Sequence, residues 1–259
     1  MQPEVKEIEM GKIVAIGGGS TAEGETEAID RTILDLSGQS RPRVVFVPTA
    51  SSDSTENWEA FDHAYRRGLG CQTDVLYLLN RDPGQDELQD KILGSDIIYV
   101  GGGNTLKMMR RWRRLGVDKL MVEAWRQGQV MCGVSAGAIC WFKFGHSDSM
   151  SFYDADDWRY VSVTGLGLVN ALACPHYDSD TKGVPRRADF RAMVLKRGGM
   201  AVAIDNRCAL AFVDDGFRVI AENDSARAYK LYRFRGAIVE TELDSRDEWR
   251  PLSALLQRD

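Results

Sequence analysis

The chain has 259 residues, of which 44% are hydrophobic and 27% charged, with a formal net charge of −5. That is enough chain for a sizeable core, and the acidic balance excludes the basic footprint of a nucleic-acid binder. No apolar run approaches the roughly 20 residues of a membrane helix. The N-terminus, MQPEVKEIEM, lacks the basic-then-apolar layout of a signal peptide. A cytoplasmic protein with neither nucleic-acid nor membrane partners is expected.

Strand and helix patterns alternate along the first half. KIVAI (12–16) reads as a buried strand ending at Gly17-Gly18-Gly19, and helical spacing follows over 25–36. RVVFV (43–47) is a strand stopped by Pro48, residues 55–69 a helix, 73–78 a strand and 86–93 a helix. DIIYV (96–100) runs into Gly101-Gly102-Gly103-Asn104, and helices are expected over 105–114 and 117–127. Residues 129–133 form a strand, 136–144 a helix and 145–160 a polar, aromatic loop. A short strand over 171–174 ends at Pro175-His176, and 185–197 is helical. From Met200 onward short strands dominate (AVAI, CALAFV, FRVIA, AYKLYRF, AIVETEL) before a last helix over 252–256.

Near-continuous apolar strands separated by helices imply an α/β fold: a mainly parallel sheet covered by helices on both faces. The C-terminal strands are expected to extend one edge in antiparallel fashion. A single domain over 1–259 follows, with about 200–249 a β-rich extension. The five cysteines (Cys71, Cys132, Cys140, Cys174, Cys208) form no CxxC pair, so buried structural thiols are expected rather than a disulfide framework or zinc site. No cofactor is expected.

Ligands in such sheets bind at the carboxyl ends of strands, where three special turns fall: 17–19, 101–104 and 133–137. The last, Gly133-Val134-Ser135-Ala136-Gly137, fits G-x-S-x-G with a strand before and a helix after, as a nucleophile turn requires. The Ala136 amide, at a helix N-terminus, is positioned to stabilise an oxyanion. A turn without chemistry is the alternative. The glycine turn at 101–104 lacks the lysine of a phosphate loop and the spacing of a dinucleotide fingerprint, so it reads better as a second oxyanion donor.

A serine nucleophile needs a base. Of three histidines, His63 falls within a helix, His146 within the loop GHSDS, and His176 at a strand end, where a base is well placed. The base in turn needs an orienting carboxylate, and Asp148, Asp154, Asp156, Asp157, Asp178 and Asp180 all remain open on spacing alone.

Together, GGGNT (101–105), GVSAGAICWF (133–142), HSDS (146–149) and CPHYD (174–178) resemble the peptidase E / cyanophycinase family of serine peptidases, over roughly residues 10–215. The resemblance implies a flavodoxin-like, class I glutamine amidotransferase-like fold. It also implies Ser135 as nucleophile, His176 as general base, Asp148 as third triad member, and the amides of Gly103 and Ala136 as oxyanion hole. Asn104, in GGGNT, is grouped with substrate binding. Arg186 and Arg187 are similar in placement to an arginine of peptidase E that meets an acidic substrate group; solvated helix-surface residues are the alternative. The implied partner is a small peptide with N-terminal aspartate, or a β-aspartyl peptide as in cyanophycinases, and a homodimer is expected. The strands after 215 depart from the compact peptidase E pattern, and the acidic loop FYDADDWRY (152–160) disfavours an acidic substrate if it lines the site. Amidotransferase-like hydrolysis and a non-catalytic binding module are the rival readings.

Overall fold

The computed structural model describes residues 11–245 and 248–258; the N-terminal stretch read for a signal peptide lies outside them. Strands β1 (Lys12–Ile16), β2 (Arg43–Val47), β3 (Gln72–Val75), β4 (Ile97–Val100) and β5 (Val130–Val134) are parallel neighbours in the order β1-β5-β4-β2-β3. Helices α1 (Glu27–Ser37) and α2 (Thr55–Asp62) cover one face, with a π-helical turn over His63–Gly68. Helices α3 (Gln85–Leu93), α4 (Thr105–Leu115) and α5 (Val117–Arg126) cover the other.

Alternation along each strand decides which residue meets which face. In β1, Val14 and Ile16 join Ile29, Ile33, Phe61 and Tyr65 on the α1/α2 side. Ile13 and Ala15 face the cluster containing Met108, Trp112 and Met121. Both faces are apolar because both are covered, as a parallel sheet requires.

Beyond β5 the chain departs from the pattern expected of it. A helix over 136–144 and a loop from 145 are expected, yet α6 (Ala136–Ile139) is one turn long and β6 (Phe142–Ser147) follows directly. AGAICWFKF is apolar apart from Lys143, so periodicity cannot separate helix from strand there. Partners elsewhere decide: the Leu166 and Val169 amides donate to the Cys140 and Trp141 carbonyls and draw this segment into a second sheet.

That sheet comprises β6, β7 (Val161–Thr164), β8 (Val169–Cys174), β11 (Met200–Ile204), β14 (Ala228–Phe234) and β15 (Ala237–Leu243), in the order β15-β14-β11-β8-β6-β7. β6, β8 and β11 run parallel. A small ribbon of β9 (Asp180–Thr181) and β10 (Val184–Pro185) precedes α7 (Arg186–Arg197). Phe190 and Val194 of α7 pack on the outer face of the second sheet.

The C-terminal strands do not extend one edge. β12 (Cys208–Val213), β13 (Gly216–Ala221) and β16 (Arg250–Pro251) continue the first sheet antiparallel from β1, whereas β14 and β15 continue the second. Helix α8 (Leu252–Leu256) follows β16. The chain passes between the sheets in the turn from β11 to β12, and one apolar cluster draws on both, from Val45 and Met131 to Val169, Val202 and Ala228. All five cysteines are free and buried. No helix among the described residues is long and apolar enough to cross a membrane.

Candidate active site

Ser135 lies between β5 and α6 with φ 58 and ψ −111. A left-handed φ at a non-glycine residue carries strain of about 1–3 kcal/mol and persists only where the surroundings enforce it. The enforcement is visible. The Ser135 amide donates to the Ile16 carbonyl at 3.0 Å, and the Ser135 carbonyl accepts from Ala138 and Ile139. Around it the backbone is too close for side chains: a Cβ on Gly133 or Gly137 would overlap the Val100 carbonyl.

His176 follows β8 and also has a left-handed φ, 51. Its amide donates to the Gly17 carbonyl at 3.1 Å. The adjacent carbonyls of Ile16 and Gly17, at the end of β1, therefore hold Ser135 from the first sheet and His176 from the second. Consecutive Cα atoms are only about 3.8 Å apart, so the two residues are anchored at the same strand end. The glycine turn at 17–19 leaves room for the histidine: a Cβ on Gly18 would run into His176 and the Asn206 side chain.

The residue that orients His176 is Asn206, in the turn between β11 and β12. His176 Nδ1 and Asn206 Oδ1 are 2.6 Å apart. Asn206 Nδ2 donates to Asp178 Oδ1 at 2.8 Å and to Ser179 Oγ at 2.7 Å, and the Asn206 backbone amide donates to the same Asp178 oxygen at 2.9 Å. An ionised carboxylate only accepts, so Asp178 draws the amide NH2 to itself and turns the amide oxygen toward the imidazole. His176 must then carry its proton on Nδ1, which leaves Nε2 with a free lone pair. Burial pushes the His176 pKa below its ordinary value, offset in part by the Asn206 hydrogen bond and the Asp178 and Asp148 charges. The imidazole is thus neutral at pH 7.

Gly102 packs against the serine: a Cβ there would sit 3.3 Å from Ser135 Cβ and 3.8 Å from Oγ. The flanking amides of Gly101 and Asn104 are bound to the Val47 and Ala50 carbonyls. Among the described residues, the Gly102 and Gly103 amides have no such partner. Gly103 has φ 130, and a Cβ on it would overlap the Ala50 carbonyl. Together with the first amide of α6, at Ala136, the turn offers unspent donors beside Ser135.

Other residues expected at the site have different occupations. Asp148 does not hold His176: its Oδ2 accepts from Arg186 at 2.7 Å and from Thr181 at 3.1 Å. Arg186 is buried, bound to Asp148 and Thr181 and set over the Tyr160 ring. Arg187 lies over Tyr177 and Tyr229 and pairs with Glu240 at 2.5 Å. Asn104 caps α4, accepting from the Lys107 amide and donating to the Ser149 carbonyl. His146 is fully buried, 2.8 Å from Asp189 and stacked on Tyr160, and burial pushes its pKa down to about 4. His63 is exposed in the π-helical turn.

Asn206 escaped the sequence reading because that reading sought a carboxylate. The available signal was positional: like His176, it follows a buried strand of the second sheet.

Comparison with known proteins agrees with this architecture. The model for peptidase family S51 matches residues 13–220. The uncharacterized peptidase YgaJ of Bacillus subtilis is 34% identical over 237 residues, 90% of this chain and 97% of that protein. Peptidase E of Streptomyces coelicolor is 27% identical over 158 residues, 60% of this chain and 59% of that one. Among solved structures, a peptidase from an acI-B1 Actinobacterium superposes with a TM-score of 0.70 at 21% identity, over 94% of this chain and 98% of that one. A putative peptidase E from Listeria monocytogenes EGD-e gives 0.62 at 21% identity, over 83% and 100%. The fold is the class I glutamine amidotransferase-like one of these peptidases, and the chain belongs to peptidase family S51.

Proposed function

We propose that this peptidase is a serine peptidase acting on short peptides through Ser135, His176 and Asn206. The observation that carries the reading is the pair of adjacent carbonyls, Ile16 and Gly17, which bring a strained serine and a neutral, Nδ1-protonated histidine to one strand end. In this reading Ser135 sits on a nucleophile elbow. Its Oγ attacks the peptide carbonyl while His176 Nε2 takes the proton. The oxyanion is received by the Ala136 and Gly103 amides, preorganised by the helix start and the glycine turn. His176 then returns its proton to the leaving amine as the C–N bond breaks, leaving an acyl-enzyme on Ser135. Water, deprotonated by His176, attacks the ester; the bond to Ser135 Oγ breaks, His176 returns the proton to that oxygen, and the acid is released. Asn206 steadies the ring, and Asp178 steadies Asn206.

The N-terminal aspartate preference that the resemblance implies needs a cation for the acidic group. Arg186 and Arg187 do not supply one freely, since Asp148 and Glu240 hold them. The test is covalent: incubation with a fluorophosphonate, peptide mapping of the adduct, and hydrolysis of a dipeptide panel. An adduct on Ser135 with dipeptide cleavage is expected. Absence of both would overturn the reading.

A further inference from the structure

Beside the Gly102–Ser135 contact opens a cavity of about 270 Å³, with Gly102 and Val134 on its inner wall. Its floor is aromatic. Phe46 and Phe61 stack with centroids 4.4 Å apart, and Tyr99 tilts against Phe61 at 5.0 Å. The remaining wall is small or neutral, with Thr21, Asn57 and Ala60 at the rim. Among the described residues, no lysine, arginine, histidine, aspartate or glutamate lines it.

We infer that this cavity receives a large uncharged side chain, aromatic or aliphatic, from the residue flanking the scissile bond, and rejects an acidic one. The inference rests on the serine peptidase reading and names its substrate class. Size permits it, since a dry cavity of roughly 150 Å³ already holds benzene. Chemistry favours it, because aromatic rings pack well on aromatic floors and a carboxylate moved from water without a counter-charge is strongly disfavoured. The ground behind the floor is acidic. Tyr99 Oη and Thr21 Oγ1 are 3.2 Å apart, Thr21 reaches Thr26 at 3.1 Å, and Thr26 donates to the buried Asp30 carboxylate at 2.8 Å. At the neighbouring turn, Glu25 accepts from the Ser20 amide and is paired with Arg207, so that cation is already engaged.

The test measures binding and turnover separately. Phe-Gly, Gly-Phe, Asp-Gly and Gly-Asp are titrated into the full-length Ser135→Ala protein by calorimetry, and their hydrolysis by the unaltered protein is followed by amine release. One phenylalanyl dipeptide is expected to bind at least tenfold tighter than its aspartyl counterpart and to be cleaved about 100-fold faster or more. Placing a cation on the exposed rim, by Ala60→Arg or independently by Asn57→Arg, is expected to move the cleavage ratio at least tenfold toward the aspartyl peptide. Equal or tighter binding of the aspartyl dipeptides to Ser135→Ala overturns the pocket assignment and leaves the peptidase reading standing. Selective binding of a phenylalanyl dipeptide with no hydrolysis of any dipeptide and no fluorophosphonate adduct sustains the pocket and overturns the peptidase reading.

Discussion

Asp178 holds Asn206 through a single carboxylate oxygen, which accepts both the backbone and the side-chain N–H of that residue at 2.9 and 2.8 Å. The amide has no freedom to turn over without placing its oxygen against the carboxylate. The tautomer of His176 is thus set two residues along its own loop, by a charge that does not touch the ring.

Removing these groups is expected to rank them. Ser135→Ala and His176→Ala should each lower kcat/KM by about 10³-fold or more, since each abolishes the attacking unit. Asn206→Ala removes one hydrogen bond to a ring that becomes charged during attack, a contribution of about 1.5–3 kcal/mol. At 1.36 kcal/mol per decade this is roughly a 10- to 100-fold loss in kcat/KM. Steady-state kinetics on a cleaved dipeptide checks the order. An Asn206→Ala enzyme at full activity would remove Asn206 from the mechanism.

The pH profile carries a sign. Burial lowers the His176 pKa, so the acid limb of kcat/KM should fall below the ordinary histidine value of about 6.5. The Asp178 charge favours the imidazolium, and Asp178→Asn takes it away. The limb should then move to still lower pH, while kcat drops because the Asn206 amide is free to flip. A limb that moves upward would contradict the electrostatic role given to Asp178.

Gly18 is a position where one methyl group is expected to stop catalysis. A Cβ there would overlap both His176 and the Asn206 side chain, which are part of the site rather than of the apolar clusters. Gly18→Ala should therefore reduce kcat/KM by at least tenfold with little change in Tm, as measured by a peptide assay and thermal melting together. A collapse of Tm would place the clash in the fold instead.

His146 should make stability pH-dependent. Its folded pKa of about 4 lies below the ordinary 6.5 because burial disfavours the charged form. A group depressed in this way stabilises fully above the unfolded pKa, and the contribution is lost as pH falls from about 6.5 toward 4. The urea-denaturation advantage of the unaltered protein over His146→Gln should accordingly shrink between pH 7.5 and 4.5. An advantage that is flat across that window would argue against a neutral buried histidine.

How far the fold can be read from the sequence depends on how many partners each segment has. β1, β2 and β4 are short, largely apolar runs closed by glycine or proline, β5 is a similar run closed by the Ser135 turn, and their local pattern suffices. Residues 136–144 are apolar apart from Lys143, and pairing with β7 and β8, far along the chain, makes the second half a strand. The division of the C-terminal strands between two sheets is likewise a matter of long-range pairing. At the site, Ser135 and His176 stand out because strand-end turns of recognisable chemistry present them. Asp148 drew attention through its neighbours in HSDS, but a buried arginine claims it. Asn206 stayed hidden because an amide does not titrate and so carries no mark of its role in one sequence.

The turn from β11 to β12 places Asn206 where the chain leaves the second sheet for the first, and Ser135 and His176 come from opposite sides of the same seam. In the proposed mechanism the reacting pair therefore gauges the alignment of two sheets. A small shear between them would separate serine from base while every strand kept its own neighbours, so peptide cleavage should fail at lower urea than the loss of the far-ultraviolet signal.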